Sequence, residues 1–216
     1  MSQTTSTNRF ARLIVTVSVV FTLAIAAMLS SANAGEKTHE FVGAKKCKMC
    51  HNKPKIGNQY KIWLDTKHAK AFEALASEEG MKAAKKAGIE DPQKSGKCLK
   101  CHSTAYDHKE TLAKNLKVRK STGKPYLTVE EGVSCESCHF AGSDYKRKKI
   151  MKDEKLAIEN GLNPEPKKMC QKCHNDESPF WDPARYKLAG GKTAGFDFDQ
   201  AWEKIKHLIP KKEAAK

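Results

Sequence analysis

The sequence predicts a mainly α-helical fold with extensive loops, in a single domain whose interior is not built from side chains alone. Leu, Ile, Val and Phe make up only about 15% of residues 35–216, below the ~20% at which charged chains become disordered. Lys and Arg number 40 against 25 Asp and Glu, so the chain has a formal charge of +15. Such a chain stays unfolded unless something besides side chains fills its core, because apolar burial must offset the loss of conformational entropy.

All eight cysteines lie in four C-x-x-C pairs, and a histidine follows each pair directly. This pattern is the attachment signature of c-type haem. Two cysteines three residues apart on a helical turn reach the two vinyl groups, and the next imidazole reaches the iron. The sequence therefore predicts four covalently bound haem c groups. In chain order, the first to fourth motifs are Cys47-Lys-Met-Cys50-His51, Cys98-Leu-Lys-Cys101-His102, Cys135-Glu-Ser-Cys138-His139 and Cys170-Gln-Lys-Cys173-His174.

Zinc ribbons and a disulfide framework are the alternatives for paired cysteines. Neither requires a histidine directly after every pair, and chance is a poor explanation because the chain has only eight histidines. Four porphyrins also account for the missing core, since each is a large apolar plate whose burial stabilises the fold. With about 45 residues for each haem, the four groups are expected to cluster inside one domain, residues 35–216.

The N-terminus resembles a secretory signal. Arg9 and Arg12 precede an apolar stretch from 13 to 29, and Ala32-Asn33-Ala34 forms an A-x-A cleavage site. Residues 1–34 are thus predicted to be a cleaved signal peptide, with an uncleaved anchor as the alternative. Export predicts a periplasmic location, with the cell exterior left open, because haem is attached to c-type apoproteins outside the cytoplasmic membrane.

Short helical patterns separated by loops make up the rest of the chain. Each C-x-x-C-H is expected on a helical turn. Ser77, followed by two glutamates, is a predicted N-cap, and Gly161 is a predicted helix stop. No stretch alternates convincingly as a strand. The other predicted helices are 59–64, 67–75, 77–86, 153–160 and 198–207, and the predicted loops lie near 91–92, 121–123 and 189–191.

Two further segments give the sequence a family resemblance. Trp63-Leu-Asp-Thr-Lys-His68-Ala-Lys-Ala71 follows the first motif, and Gly132-Val-Ser precedes the third. With four motifs in this order and a late histidine, the chain resembles the tetrahaem cytochrome c-554 family over about 41–211. The resemblance implies a mostly helical fold, haems stacked in close pairs and electron transfer in the periplasm. It also implies a donor similar to hydroxylamine oxidoreductase and one haem with an open site.

Four histidines lie outside the motifs and are candidate sixth ligands: His39, His68, His108 and His207. By the resemblance, His68 ligates a distant haem and His207 serves the haem of the fourth motif. The family also has a ligand in the loop after the third motif, but residues 140–149 contain no histidine. We expect His39 to substitute, either within the chain or toward a neighbouring subunit. His108 lies close after His102, so the second haem is either ligated by it or five-coordinate.

Three functions follow from these residues. The first is a non-enzymatic electron carrier with redox protein partners, which include acidic proteins, a hydroxylamine oxidoreductase-like donor or a membrane quinol-linked cytochrome. The second is a subunit of an extracellular cytochrome filament, with self-association through His39. The third is an enzyme that reduces a small ligand such as nitric oxide at an open haem. No nucleic-acid motif is present, so nucleic-acid binding is not expected.

Overall fold

The structure is a computed structural model that describes residues 38–107, 109–179 and 181–207. The chain divides before His39 into two compact units, and the second unit contains all four motifs. Within the described residues, no helix is long and apolar enough to cross a membrane. The predicted signal peptide lies outside the described residues, so its cleavage stays a prediction.

Short helices joined by loops make up the second unit. Its α-helices are α1 Ala44–His51, α2 Gln59–Leu64, α3 Ala71–Ala74, α4 Glu78–Lys86, α5 Gly96–His102, α6 Cys135–His139, α7 Lys148–Met151, α8 Glu154–Glu159 and α9 Phe198–Ile205. Its 3₁₀ turns are Pro54–Ile56, Val129–Glu131, Pro166–Lys172 and Ala189–Gly191. The large apolar side chains that are fully buried are few, with Val42, Leu99 and Leu127 among them. The small core agrees with the prediction that side chains alone do not fill the interior.

Capping residues set the helix boundaries that the sequence predicts. The Ser77 hydroxyl accepts a hydrogen bond from the Gly80 amide at 3.0 Å, which begins α4 at the predicted position. Asp153 and Asp197 cap α8 and α9 in the same way. Gly161 follows α8 with a φ of +99°, a conformation that favours glycine and ends the helix.

The structure differs from the predicted elements in several places. Helix α3 is shorter than 67–75, because the His68 carbonyl accepts the Val133 amide instead of continuing a helix. Helix α9 ends at Ile205, so His207 lies beyond it. The fourth motif begins at the end of a 3₁₀ turn, not on an α-helix. Two strands, β1 Tyr186–Lys187 and β2 Thr193–Ala194, pair antiparallel, and two residues are too few to show alternation.

Candidate haem-binding site

The four motifs form one continuous series in space, although not in chain order. Cys47 of the first motif contacts Cys135 of the third through their thiols. Helix α6, which carries the third motif, packs against the 3₁₀ turn of the fourth, and Cys138 lies near Cys170. Cys173 of the fourth motif contacts Cys101 of the second. By the proximity of their cysteines, the motifs therefore follow the order first, third, fourth, second. The first and second motifs are the two ends of this cysteine series, although the segment after the second motif also contacts the third.

A buried carboxylate joins the first and third motifs. Glu136 lies between the cysteines of the third motif and is only 1% exposed. Its carboxylate accepts hydrogen bonds from the amides of Val42 at 3.0 Å, Gly43 at 2.8 Å and Gly142 at 2.7 Å. Two of these donors lie just before α1, where amides have no partner within the helix. Burial raises the pKa of Glu136, while the amide donors oppose that increase.

A second carboxylate completes this cap on α1. Glu131 accepts the Ala44 amide at 2.7 Å. Burial raises the pKa of Glu131, and the neighbouring Glu136 raises it further. Together the two carboxylates satisfy the start of the helix that carries the first motif and lie at the positive end of its dipole. They therefore fix the first motif against the third.

A hydroxyl network joins the second motif to the third. Thr104, two residues after His102, accepts the Ser134 amide at 2.7 Å through its hydroxyl. The same hydroxyl hydrogen-bonds to that of Ser137 at 2.7 Å, and the Thr104 amide donates to Gly132 at 2.9 Å. The end of α5 is thus held against the beginning of α6.

The two segments that carry the family resemblance pack directly on each other. The Trp63 indole donates to the Val133 carbonyl at 2.9 Å, and the Val133 amide donates to the His68 carbonyl at 3.0 Å. Gly132 has a φ of +69°, and a Cβ there would lie 2.8 Å from the carbonyl oxygens of His68 and Ala69. Glycine at this position therefore allows the backbone of His68 to approach and fixes where its imidazole lies.

Replacing Gly132 with alanine should displace His68 as well as destabilise the fold. We expect Gly132→Ala to lower the free energy of unfolding by about 2–3 kcal/mol, because the conformation is strained for alanine and the His68 backbone must move. Gly123→Ala is the matched control: its φ is +65° but nothing lies within 4 Å. The control should lose only about 1 kcal/mol. Chemical unfolding measures both losses, and equal losses would contradict the role given to the close approach.

Two pairs of imidazoles from distant parts of the chain lie beside each other, with their rings tilted. The ring centres of His68 and His174 are 6.1 Å apart, and those of His139 and His207 are 6.0 Å apart. A metal–imidazole bond is about 2.0 Å long, so two imidazoles on opposite faces of one metal ion have ring centres about 6 Å apart. In both pairs the separation of the ring centres is thus the one expected for two histidines that would hold one haem iron.

The electrostatics of these pairs also suit metal binding. Burial lowers the pKa of His139 to about 4, and the nearby His207 and His51 add to the effect. Burial likewise lowers the pKa of His68 and of His174. The three imidazoles are thus neutral near pH 7, which is the form that binds metal.

The structure places His207 beside a different motif histidine from the one that the resemblance implies. The resemblance placed His207 at the fourth motif, but its ring lies beside His139 of the third. The fourth motif instead has His68 beside it. The chain leaves its last helix at Ile205, and extended backbone at Lys206 directs His207 to the third motif.

The remaining motif histidines are oriented by hydrogen bonds through Nδ1. The Nδ1 atom of His102 lies 2.7 Å from the Ala71 carbonyl, which makes it the protonated nitrogen and leaves Nε2 as the metal-binding atom. The Nδ1 atom of His51 lies 3.3 Å from the Gln59 side-chain oxygen. Neither ring contacts another histidine ring among the described residues. His108 lies outside the described residues.

His39 is held within its own chain, against the loop that follows the third motif. Its Nδ1 lies 2.7 Å from the Asp144 carboxylate. A Cβ on Gly161 would lie 2.8 Å from its Nε2, so the ring packs closely on this glycine. Asp144 belongs to the loop in which the sequence lacks the expected histidine. His39, which precedes the first motif in the chain, therefore contacts the loop that follows the third motif.

Sequence reasoning missed the residues that position the motifs, above all Glu131, Glu136, Asp144 and Thr104. Glu136 carried a signal, since it is the one acidic residue inside four otherwise basic or neutral motifs. Glu131, Asp144 and Thr104 carried no such signal in the sequence, because their hydrogen-bond partners lie between 28 and 105 residues away along the chain. The eight cysteines form no disulfide, and no three His, Cys, Asp or Glu side chains of the described residues group as ligands for a bare metal ion.

Comparison with known proteins agrees with the family resemblance. The sequence model of the family described as cytochrome c554 and c-prime matches residues 46–140, which include the first three motifs. Over this stretch the chain is similar to the cytochrome c554 family. The predicted resemblance to tetrahaem c-type cytochromes is thereby confirmed, and so is the prediction of covalently bound haem c. The four C-x-x-C-H motifs have the residues that such attachment requires.

A relative and a solved structure extend this finding. Cytochrome c-554 of Nitrosomonas europaea is 33% identical over 129 residues, which is 56% of this chain and 48% of the relative. The chain thus spans about half the length of that curated relative. The reduced state of cytochrome c554 from the same organism matches with a TM-score of 0.51 at 25% identity, over 80% of this chain and 86% of that one. The predicted mainly helical fold with extensive loops is confirmed.

Proposed function

We propose that this protein is an electron carrier, a tetrahaem c-type cytochrome that relays electrons between redox partners and has no catalytic side chain. The observation that carries the proposal is the packing of the first motif against the third and of the third against the fourth, with Cys101 of the second motif close to Cys173 of the fourth. Each haem, when bound, supplies one reversible electron. The similarity to the cytochrome c554 family over residues 46–140 supports the same function.

The motif residues hold the cofactors in this proposal. Eight cysteines form the thioethers: Cys47, Cys50, Cys98, Cys101, Cys135, Cys138, Cys170 and Cys173. Four histidines are the proximal iron ligands: His51, His102, His139 and His174. The support is the helical or 3₁₀ turn at each motif, together with the orienting contacts of His51 and His102.

His68 and His207 are the distal ligands of the fourth and third motifs in this proposal. Their rings lie about 6 Å from those of His174 and His139, as two ligands of one iron require. His39 is a further distal ligand, with Asp144 fixing Nε2 as its metal-binding atom. The contact of His39 with its own chain favours this assignment over donation to a neighbouring subunit of a filament. Whether His108 ligates the second haem, or leaves it open to a small ligand, stays a prediction.

Location and partners follow from the sequence and the family. Export through the predicted signal at 1–34 places the mature protein in the periplasm, with residues 35–216 as its tetrahaem domain. The excess of positive charge favours acidic redox proteins as partners, including a hydroxylamine oxidoreductase-like donor or a membrane quinol-linked cytochrome.

Titration with a reductant tests the proposed function. We expect the holoprotein to take up four electrons for each chain and to return all four to an oxidant, because every haem belongs to one connected series. In a rapid-mixing experiment, reduction of any one haem should be followed by redistribution of the electrons among all four haems. A holoprotein that takes up fewer than four electrons, or that consumes added hydroxylamine or nitric oxide in repeated turnovers, would contradict a simple carrier.

A further inference from the structure

The two ends of the motif series differ in their charge. Around the first motif, residues 44–61 contain six lysines and no acidic residue. Five of these lysines are exposed, and together they define the first-motif lysine face: Lys45, Lys48, Lys53, Lys55 and Lys61. None of the five forms an ion pair with a described residue. Burial raises the pKa of Glu131 and the nearby Lys45 partly opposes that rise, so the charge available to a partner is that of the other four lysines.

Three neighbouring structural elements carry the lysines of this face. Helices α1 and α2 pack on each other, and the ammonium group of Lys48 lies 5.5 Å from the centre of the Tyr60 ring. Lys53 and Lys55 lie on the short turn between the two helices. The buried carboxylates of Glu131 and Glu136 hold the start of α1, so the face is presented on a fixed support.

Charges around the second motif, by contrast, neutralise one another. Lys94 lies 2.8 Å from the Asp91 carboxylate. Lys100, inside the motif, lies 3.5 Å from Glu110 and 3.7 Å from Glu177. The stretch from 90 to 110 contains as many acidic residues as lysines. This end of the series therefore offers no comparable excess of positive charge.

We propose that the first-motif lysine face is the docking surface for an acidic redox protein. The proposal rests on the proposed electron-carrier function. Free lysines at one end of the series attract a carboxylate-rich surface and orient it beside the first motif. Transient electron-transfer complexes bury little surface, so a small charged face is sufficient. The second-motif end, where positive and negative charges are balanced, does not attract a carboxylate-rich surface in this way.

Binding of poly-L-glutamate to the holoprotein tests this docking surface. The triple variant Lys53→Gln, Lys55→Gln, Lys61→Gln removes three exposed lysines that form no ion pair with a described residue. Its matched control, Lys82→Gln, Lys86→Gln, Lys192→Gln, removes three exposed charges elsewhere. We expect the first variant to weaken binding at low salt by about tenfold and the control by about twofold or less. Equal weakening would mean that only the net charge matters and would overturn the proposal.

Lysine acetylation of the wild-type holoprotein gives an independent measurement that needs no variant. Bound poly-L-glutamate should protect Lys53, Lys55 and Lys61 more strongly than Lys82, Lys86 and Lys192. Uniform protection would overturn the docking surface. Both triple variants should still take up four electrons in the reductive titration. A failure of that titration in the wild type would count against the electron-carrier function, whereas a failure of selective binding would count against the docking surface alone.

Discussion

Replacing Glu136 with alanine should lower the free energy of unfolding of the holoprotein by about 3 kcal/mol or more, since each buried donor left unpaired costs about 1–3 kcal/mol. The three amides that lose their acceptor belong to Val42, Gly43 and Gly142. The first motif also loses its attachment to the third. Chemical unfolding followed by circular dichroism measures the change, and because the haems are covalently bound, it proceeds without loss of the cofactor.

Two variants separate this role from a general effect of charge. Glu130→Ala removes an exposed carboxylate from the same segment and should change the free energy of unfolding by less than about 0.5 kcal/mol. Glu136→Gln keeps one acceptor oxygen and should give an intermediate loss. If Glu136→Ala unfolded at the same denaturant concentration as Glu130→Ala, the buried carboxylate would not be what joins the two motifs.

Removing either distal histidine should change the spin state of one haem in four. We expect His68→Ala to convert one low-spin iron to high-spin and to let it bind carbon monoxide when reduced, because its imidazole is the partner of His174. His207→Ala should convert another, at the third motif. The double variant should convert two. Low-temperature electron paramagnetic resonance of the oxidised holoprotein counts the irons of each kind.

Lys67→Ala is the matched control for the His68 variant, since Lys67 is the exposed neighbour of His68. It should leave the spin states unchanged. A His68→Ala spectrum identical to that of the wild type would remove His68 from the ligands, and a double variant with only one new high-spin iron would show that the two histidines do not serve separate haems.

The wild-type spectrum in the same experiment tests the second haem: a carbon monoxide-binding iron there would mean that His108 is not a ligand.

Local sequence patterns predicted the elements whose causes are themselves local. The Ser77 cap, the stop at Gly161 and α2 at Gln59–Leu64 were predicted because a cap, a positive φ and a helical repeat each involve only neighbouring residues. Helix α3 was predicted too long, since the backbone of His68 bonds to Val133, a residue 65 positions further along. The short β1–β2 pair was missed, because two residues hold no pattern to read.

The sequence by itself determined the cofactor chemistry, because two thiols and an imidazole within five residues suffice for haem attachment and four such groups replace the missing apolar core. Only the tertiary structure decided the order of the motifs and the partner of each distal histidine. Those relations join residues far apart in the chain, such as His68 with His174 and His139 with His207. They depend on where packing brings the backbone, which the cap of Glu136 and the close approach at Gly132 fix and which no local spacing encodes.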